Sequence, residues 1–278
     1  MNRCEYDVLN NLQHKKKYLE YNFNNMEAYS DIGKERKRQE DGVLITTHVA
    51  DNDFRMIAIA DGMGGEKGSF ASNIMLYNLL NWFQNLSVSY YLEKTNIDDG
   101  LMPIIYKTDK EIRSKYQTAG TTITLAIKCV NSTYTLNIGD TRIYLQNNYK
   151  LEQISTDHNI AWELYKKGDI KTKDDIRFHK KNNLLTARVG CEKELIKISK
   201  EIVSNNDYNN VYIFSDGITD CLSDYELNLA ANKSTKDILI SALNNKSYNY
   251  KLNDDYYDTI DGGKDNSSIA VLNRVKRG

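Results

Sequence analysis

Apolar and β-branched residues gather in short runs separated by Gly, Asp and Asn, and these runs predict strands over 43–48, 55–60, 121–127, 133–138, 142–146, 211–215 and 267–272. Helical spacing appears elsewhere. Phe70, Ile74, Tyr77, Leu80 and Phe83 recur at intervals of three and four, which predicts a helix over 68–86 with one apolar stripe. Further helices are predicted over 101–116, 224–231 and 235–243, the one at 224–231 behind a Ser223/Glu226 capping signature. The turns between 121–127, 133–138 and 142–146 are too short for parallel crossovers, so these three segments are expected to form an antiparallel meander. Long helices with antiparallel strands give an α+β fold, helices lying on the sheet faces. Residues 1–24 are polar and read as an N-terminal extension or short helix; from 25 to 278 the alternation runs without a linker, as one domain. The charged segment 159–183 reads as a mobile surface flap, and 244–264 as a loop.

Composition narrows the function. Among 278 residues the formal net charge is −1, so no global field draws nucleic acid or an anionic membrane. The basic runs at 15–17 and 275–277 are short and terminal, and read as solvated. Cys4, Cys129, Cys191 and Cys221 form no CxxC pair, and the four histidines form no HExxH pattern. No segment approaches the ~20 apolar residues of a membrane span, and residues 1–13 lack the apolar core of a signal peptide. The expectation is a soluble, cytoplasmic, reduced protein with no membrane or nucleic-acid role.

Chemistry gathers where strands end. Residues 55–65, RMIAIADGMGG, run an apolar strand into Asp61 and three glycines. VYIFSDGITD ends a strand at Asp216, with Asp220 four residues on. TYTLNIGDTR places Asp140 after a strand, and GGKDNSSIAVL places Asp265 before one. An isolated Asp-Gly is ordinarily a hairpin turn, and Asp99-Gly100 and Asp261-Gly262 are read as that. A DGxGG at a strand end also lets a backbone carbonyl reach a ligand. Strand ends deliver side chains to one rim of a sheet, and carboxylates brought together there repel unless a cation lies between them. An all-oxygen set of this kind suits Mg2+ or Mn2+ and not zinc.

Taken in order, these segments resemble the metal-dependent protein phosphatases, the type 2C serine/threonine phosphatases of bacterial type. SDIGKERKRQED carries the family's opening element through Gly33, Arg36, Glu40 and Asp41. AIADGMGG, AGTTITLAI, NIGDTRIYL, STDHN, LLTARVG, SDGITDCLSDYEL and KDNSSIAVL follow in the family's sequence. The resemblance spans about Ser30 to Leu272 and implies a four-layer α-β-β-α sandwich, two antiparallel sheets flanked by helices, with metals in a cleft at one end.

The resemblance further implies a metal-dependent protein serine/threonine phosphatase in which a hydroxide held between two ions attacks phosphoserine or phosphothreonine directly. Asp61 would bridge two Mn2+ or Mg2+ ions and the Gly62 carbonyl would bind one. Asp216 and Asp265 would hold the first ion, Glu40 and Asp41 the second, and Asp140 and Asp220 a third, weaker one. Arg36 would grip the phosphate, its guanidinium fork matching two oxygens better than a lysine would. The expected partners are phosphoproteins and a counterpart serine/threonine kinase, and the expected state is a monomer. Met63 stands where many eukaryotic members carry a histidine, so the leaving group has no assigned acid. His158 is expected to be a structural hydrogen-bonder, Arg188 a salt-bridge partner, and Trp82 and Trp162 packing residues. Two other readings stay open: a weakly active phosphoprotein-binding regulatory module, and a phosphoesterase for small molecules.

Overall fold

A computed structural model describes residues 7–9, 18–87, 96–148, 150–191, 196–249 and 254–273. Cys4 and the basic runs at 15–17 and 275–277 lie outside these residues.

Two six-stranded antiparallel sheets form the centre. The first contains β1 (Asp7–Leu9), β4 (Gly42–His48), β5 (Asp51–Ala60), β8 (Ile123–Lys128), β9 (Ser132–Ile138) and β12 (Ser199–Ser204), in that spatial order. The second runs β11 (Lys150–Gln153), β10 (Arg142–Asn147), β13 (Asn210–Phe214), β16 (Ser267–Asn273), β3 (Met26–Asp31) and β2 (Tyr18–Phe23). Two short pairs complete the strands: β6 (Gly62–Met63) with β7 (Gly120–Thr121), and β14 (Lys246–Tyr248) with β15 (Thr259–Asp261).

Strand periodicity explains the layering. In β4 and β5, Val43, Ile45, Ile57 and Ile59 point inward to meet Ile143, Val211, Ile213 and Ala270 of the second sheet. Their neighbours Leu44, Met56, Ala58 and Ala60 point outward against helices α1 (Glu66–Gln84) and α2 (Asn96–Lys115). On the opposite face Phe214, Ile269 and Val271 pack under α5 (Asp216–Thr219), α6 (Asp224–Ala231) and α7 (Thr235–Asn244). Strands buried on both faces therefore read as continuous apolar runs, and the result is the expected α-β-β-α sandwich.

Several expectations change. The three-strand meander does not form. β8 and β9 pair, but Gly139 at φ +118° turns the chain so that β10 joins the other sheet, beside β13 and β11. A Cβ on Gly139 would lie 2.4 Å from the Thr122 side chain, so this turn requires glycine. The buried stripe of α1 is Ala71, Met75, Leu76, Leu79 and Phe83, whereas Tyr77 is 56% exposed; the helix is rotated because its inner face contacts both α2 and the sheet. Asp99 and Gly100 lie within α2 and form no hairpin. The α6 capping box is present, with the Ser223 and Glu226 side chains satisfying each other's backbone N–H.

The 159–183 segment contains α3 (Ile160–Lys167) and α4 (Lys173–Ile176) around a small apolar cluster of Ala161, Trp162, Ile170 and Ile176. It is held down by side chains. Arg177 Nη1 donates to the Cys221 carbonyl and Ser247 Oγ at 3.2 and 3.1 Å, and Lys173 Nζ lies 2.6 Å from Asp224. The β14–β15 hairpin lies within the segment expected to be a loop, and its descending arm pairs with the flap through Lys180 N to Asp255 O and Tyr257 N to Phe178 O.

Candidate active site

Asp61 leaves β5 at the rim where the two sheets meet, and Thr122 fixes its backbone. Thr122 Oγ1 accepts from Asp61 N at 2.9 Å, and Thr122 N donates to Asp61 O at 2.8 Å. Gly62 N then donates to Glu40 O at 3.2 Å, joining this turn to the Arg36–Asp41 loop. A Cβ on Gly62 would fall 2.4 Å from Gly68 O and 2.7 Å from Glu40 O. Gly68 in turn lies under the Glu40 carboxylate, 2.2 Å from where its own Cβ would be. The glycines of this turn therefore allow three backbone segments to meet in a space with no room for side chains.

The other carboxylates arrive from the second sheet. Asp216 begins α5 directly after β13, and Asp220 follows one turn later, its N–H on Asp216 O at 2.8 Å. Gly217 sits against Asn266, where a Cβ would be 2.0 Å from the Asn266 carbonyl, and this draws Asp216 toward Asp265. Asn266 was not anticipated from the sequence. Its amide donates to the Ile32 and Arg38 carbonyls at 2.9 and 3.0 Å and accepts from Glu40 N at 2.7 Å, pinning the loop that carries Arg36, Glu40 and Asp41. The signal was an amide directly after Asp265, at the start of a strand.

Six of the proposed residues face one another. Asp61 feels the charges of Asp216, Asp41, Asp265 and Asp140, and Asp216 those of Asp265, Asp140, Asp220 and Asp41. Burial first, and this repulsion second, hold the carboxyls of Asp61 and Asp216 well above the usual range. Burial pushes Asp41 up to about 7, Asp140 to about 8 and Asp220 to about 6. Glu40 is raised as well, again mainly by burial, with Arg36 opposing. Asp41 Oδ2 is buried without a hydrogen-bond partner. Among the described residues no three acidic, histidine or cysteine side chains are already closed around one point. Ions would have to draw these carboxylates in. Mutually repelling oxygen donors, one with an unsatisfied buried oxygen, nevertheless form a donor set suited to hard divalent cations.

Arg36 is 51% exposed at the mouth and its Nη2 lies 2.6 Å from Asp265 Oδ2. Asn182, the second unanticipated residue, donates to Asp220 Oδ1 at 2.7 Å and receives the Asn159 amide at 3.2 Å. The flap thus touches the carboxylate group directly. His158 is structural as expected: its Nδ1 accepts from Gly139 N at 3.1 Å, and burial lowers its pKa to about 4. Arg142 donates through Nε to Asp157 at 2.8 Å in a buried pair that braces the Asp140 turn. Arg188 departs from expectation. No carboxylate pairs with it among the described residues; its guanidinium reaches Met63 Sδ at 3.9 Å, and its Nε is buried without a partner.

A family model described as protein phosphatase 2C matches residues 34–254. The chain belongs to the protein phosphatase 2C family. Similar proteins include a serine/threonine phosphatase stp of Listeria monocytogenes serotype 4b (strain F2365), 26% identical over 257 residues, covering 89% of this chain and 95% of that one. A protein phosphatase PhpP of Streptococcus pneumoniae serotype 2 (strain D39 / NCTC 7466) is 27% identical over 216 residues, covering 71% of this chain and 80% of that protein. The fold matches the crystal structure of serine/threonine phosphatase Stp1 from Staphylococcus aureus with a TM-score of 0.75 at 24% identity, over 90% of this chain and 94% of that one. The family match ends before Asp265, yet the topology brings Asp265 beside Asp216 through the β13–β16 pairing.

Proposed function

We propose that this chain is a Mn2+- or Mg2+-dependent phosphatase of phosphoserine and phosphothreonine in proteins. The observation that carries the reading is the set of six aspartates from both sheets, facing one another in one cleft of a protein phosphatase 2C fold. Asp61, the Gly62 carbonyl, Asp216 and Asp265 would hold one ion, and Asp61, Glu40 and Asp41 a second. Asp140 and Asp220 would hold a third. When bound, such ions supply charge for the phosphoryl oxygens and a water acidic enough to attack phosphorus.

The chain's own residues do the rest. Arg36 binds two phosphoryl oxygens after exchanging its Asp265 contact for the substrate. Asn182 holds the Asp220 carboxylate in its ionised form, since a donor to a carboxylate favours the charge. The buried rim of Thr122, Asn266 and the glycines keeps the carboxylates from relaxing apart. No Ser or Cys nucleophile is needed, and Cys129, Cys191 and Cys221 are buried. Substrates would be phosphoproteins made by a serine/threonine kinase in the cytoplasm, and the working unit a monomer. Among the described residues no helix is long and apolar enough to cross a membrane.

A substrate panel tests the reading. With Mn2+ the protein should release phosphate from phosphoserine and phosphothreonine peptides, while nucleotides and sugar phosphates should be poor substrates. Turnover confined to small phosphate esters would replace this reading with a small-molecule phosphoesterase.

A further inference from the structure

The Asp61 turn has a second, basic flank. Beyond Gly62 and Met63 the chain rises into α1, and Gly64 lies against the Thr118 carbonyl and Ala119 Cα, at 2.9 and 3.2 Å from where its Cβ would be. The segment 116–120 that follows α2 therefore packs on this turn. Three cationic side chains converge there. Lys115 Nζ sits 4.1 Å from the centroid of Phe70, and Lys67 Nζ 5.6 Å from that of Tyr116. Phe70 and Tyr116 meet edge to face at 5.4 Å, so the two lysines stand on one aromatic platform. Arg188 completes the group: its Cδ lies against Gly120 at 2.8 Å from a built Cβ, and its guanidinium reaches the Met63 sulfur.

Arg188 is held in place from behind. Asp109 Oδ1 accepts from Gly190 N and Cys191 N, both at 2.9 Å, while Thr121 and Val189 exchange two backbone bonds. The same Asp109 carboxylate neutralises Arg113 at 2.9 Å. Lys67, Lys115 and Arg188, by contrast, have no carboxylate partner among the described residues. In a chain of net charge −1, three cations without a carboxylate beside them, gathered on one side of a phosphatase cleft, form a local positive field.

We propose that Lys67, Lys115 and Arg188 form a substrate-docking surface that takes acidic residues beside the phosphorylated residue, and so bias this enzyme toward phosphorylation sites in acidic sequence. The inference rests on the phosphatase reading. Arg188 is the innermost contact, nearest the Asp61 turn; the lysines lie further out, on the aromatic platform. A carboxylate arriving there meets charges that are already positioned and cost little to order. Dependence on several exposed charges makes the preference sensitive to salt.

The test compares a phosphothreonine peptide flanked by aspartates with one flanked by alanines, using p-nitrophenyl phosphate as the control for the reaction itself. The wild type should prefer the acidic peptide at low salt and lose that preference at high salt. In Lys67→Ala/Lys115→Ala/Arg188→Gln the acidic peptide should lose roughly five- to tenfold in kcat/KM, as two or three exposed ion pairs allow, and the loss should lie in KM. Turnover of the alanine peptide and of nitrophenyl phosphate should change little. Lys115→Glu, an exposed single change, should shift the preference in the same direction without risk to the fold. Equal losses on both peptides, or no acidic preference in the wild type, would overturn the inference. Absence of nitrophenyl phosphate turnover by the wild type would instead remove the phosphatase reading, and this inference with it.

Discussion

Replacing Asp41 with Asn should make the metal-free protein more stable, while weakening its response to metal. Asp41 is 5% exposed and its Oδ2 has no partner. Burial carries its carboxyl from 3.8 to about 7 in the folded chain. The folded state therefore holds this proton more tightly than the unfolded state. The contribution of this group to stability is greatest below about pH 4, falls as pH rises from 3.8 toward 7, and is level above that. Keeping the ionised group buried costs on the order of 4 kcal/mol. Asn carries no charge to bury but loses part of the hydrogen bonding that Ser268 and Ser215 give the carboxylate, so about half, ~2 kcal/mol, should be recovered. For a domain of this size that is a rise in Tm of roughly 4–8 °C. The assay is thermal unfolding of both proteins in EDTA from pH 4 to 9, then with Mn2+. The variant should gain over the wild type as pH rises and match it near pH 4. Mn2+ should raise the wild-type Tm at pH 8 more than the variant's. Identical pH slopes, or a variant less stable at pH 8, would refute the claim that Asp41 is a buried charge waiting for a cation.

Other changes have distinct signatures. Gly62→Ala forces a methyl onto the Gly68 and Glu40 carbonyls and should cost about 1–3 kcal/mol, with a matching loss of activity, read by thermal unfolding and peptide turnover. Arg142→Met leaves Asp157 in the interior without its cation, with the Gln153 amide still donating to it, and should destabilise by roughly 3–5 kcal/mol in urea unfolding. Asn182→Ala removes the donor that lowers the Asp220 carboxyl, so that group should rise above about 6, and Mn2+ binding followed by calorimetry should need higher pH.

The central strands were readable because their side chains face apolar layers on both sides. Val43–Ile45 and Met56–Ala60 could be little else, and their glycine and aspartate punctuation marked where the site begins. The strands at Ser199–Ser204 and Lys150–Gln153 went unread, being edge strands with polar faces. The meander failed for a reason no periodicity carries: Gly139 changes sheets because Thr122 occupies the space beneath it. The aspartates were visible as strand-end residues, and the fold brings them together. Asn182 and Asn266 were not, since each acts through a contact more than 30 residues away in the chain. Arg188 was misread because a salt bridge is the usual fate of a partly buried arginine, and here its guanidinium meets the Met63 sulfur instead of a carboxylate.

We propose that carboxylates from two sheets form one metal-dependent phosphatase site. The direct measurement is phosphate release from a phosphothreonine peptide by the wild type and Asp216→Asn, each with Mn2+ and with EDTA. The wild type should be active only with Mn2+, and Asp216→Asn should fold normally yet lose at least ~10²–10³-fold in kcat. Activity that survives EDTA, or an Asp216→Asn variant as active as the wild type, would contradict the account.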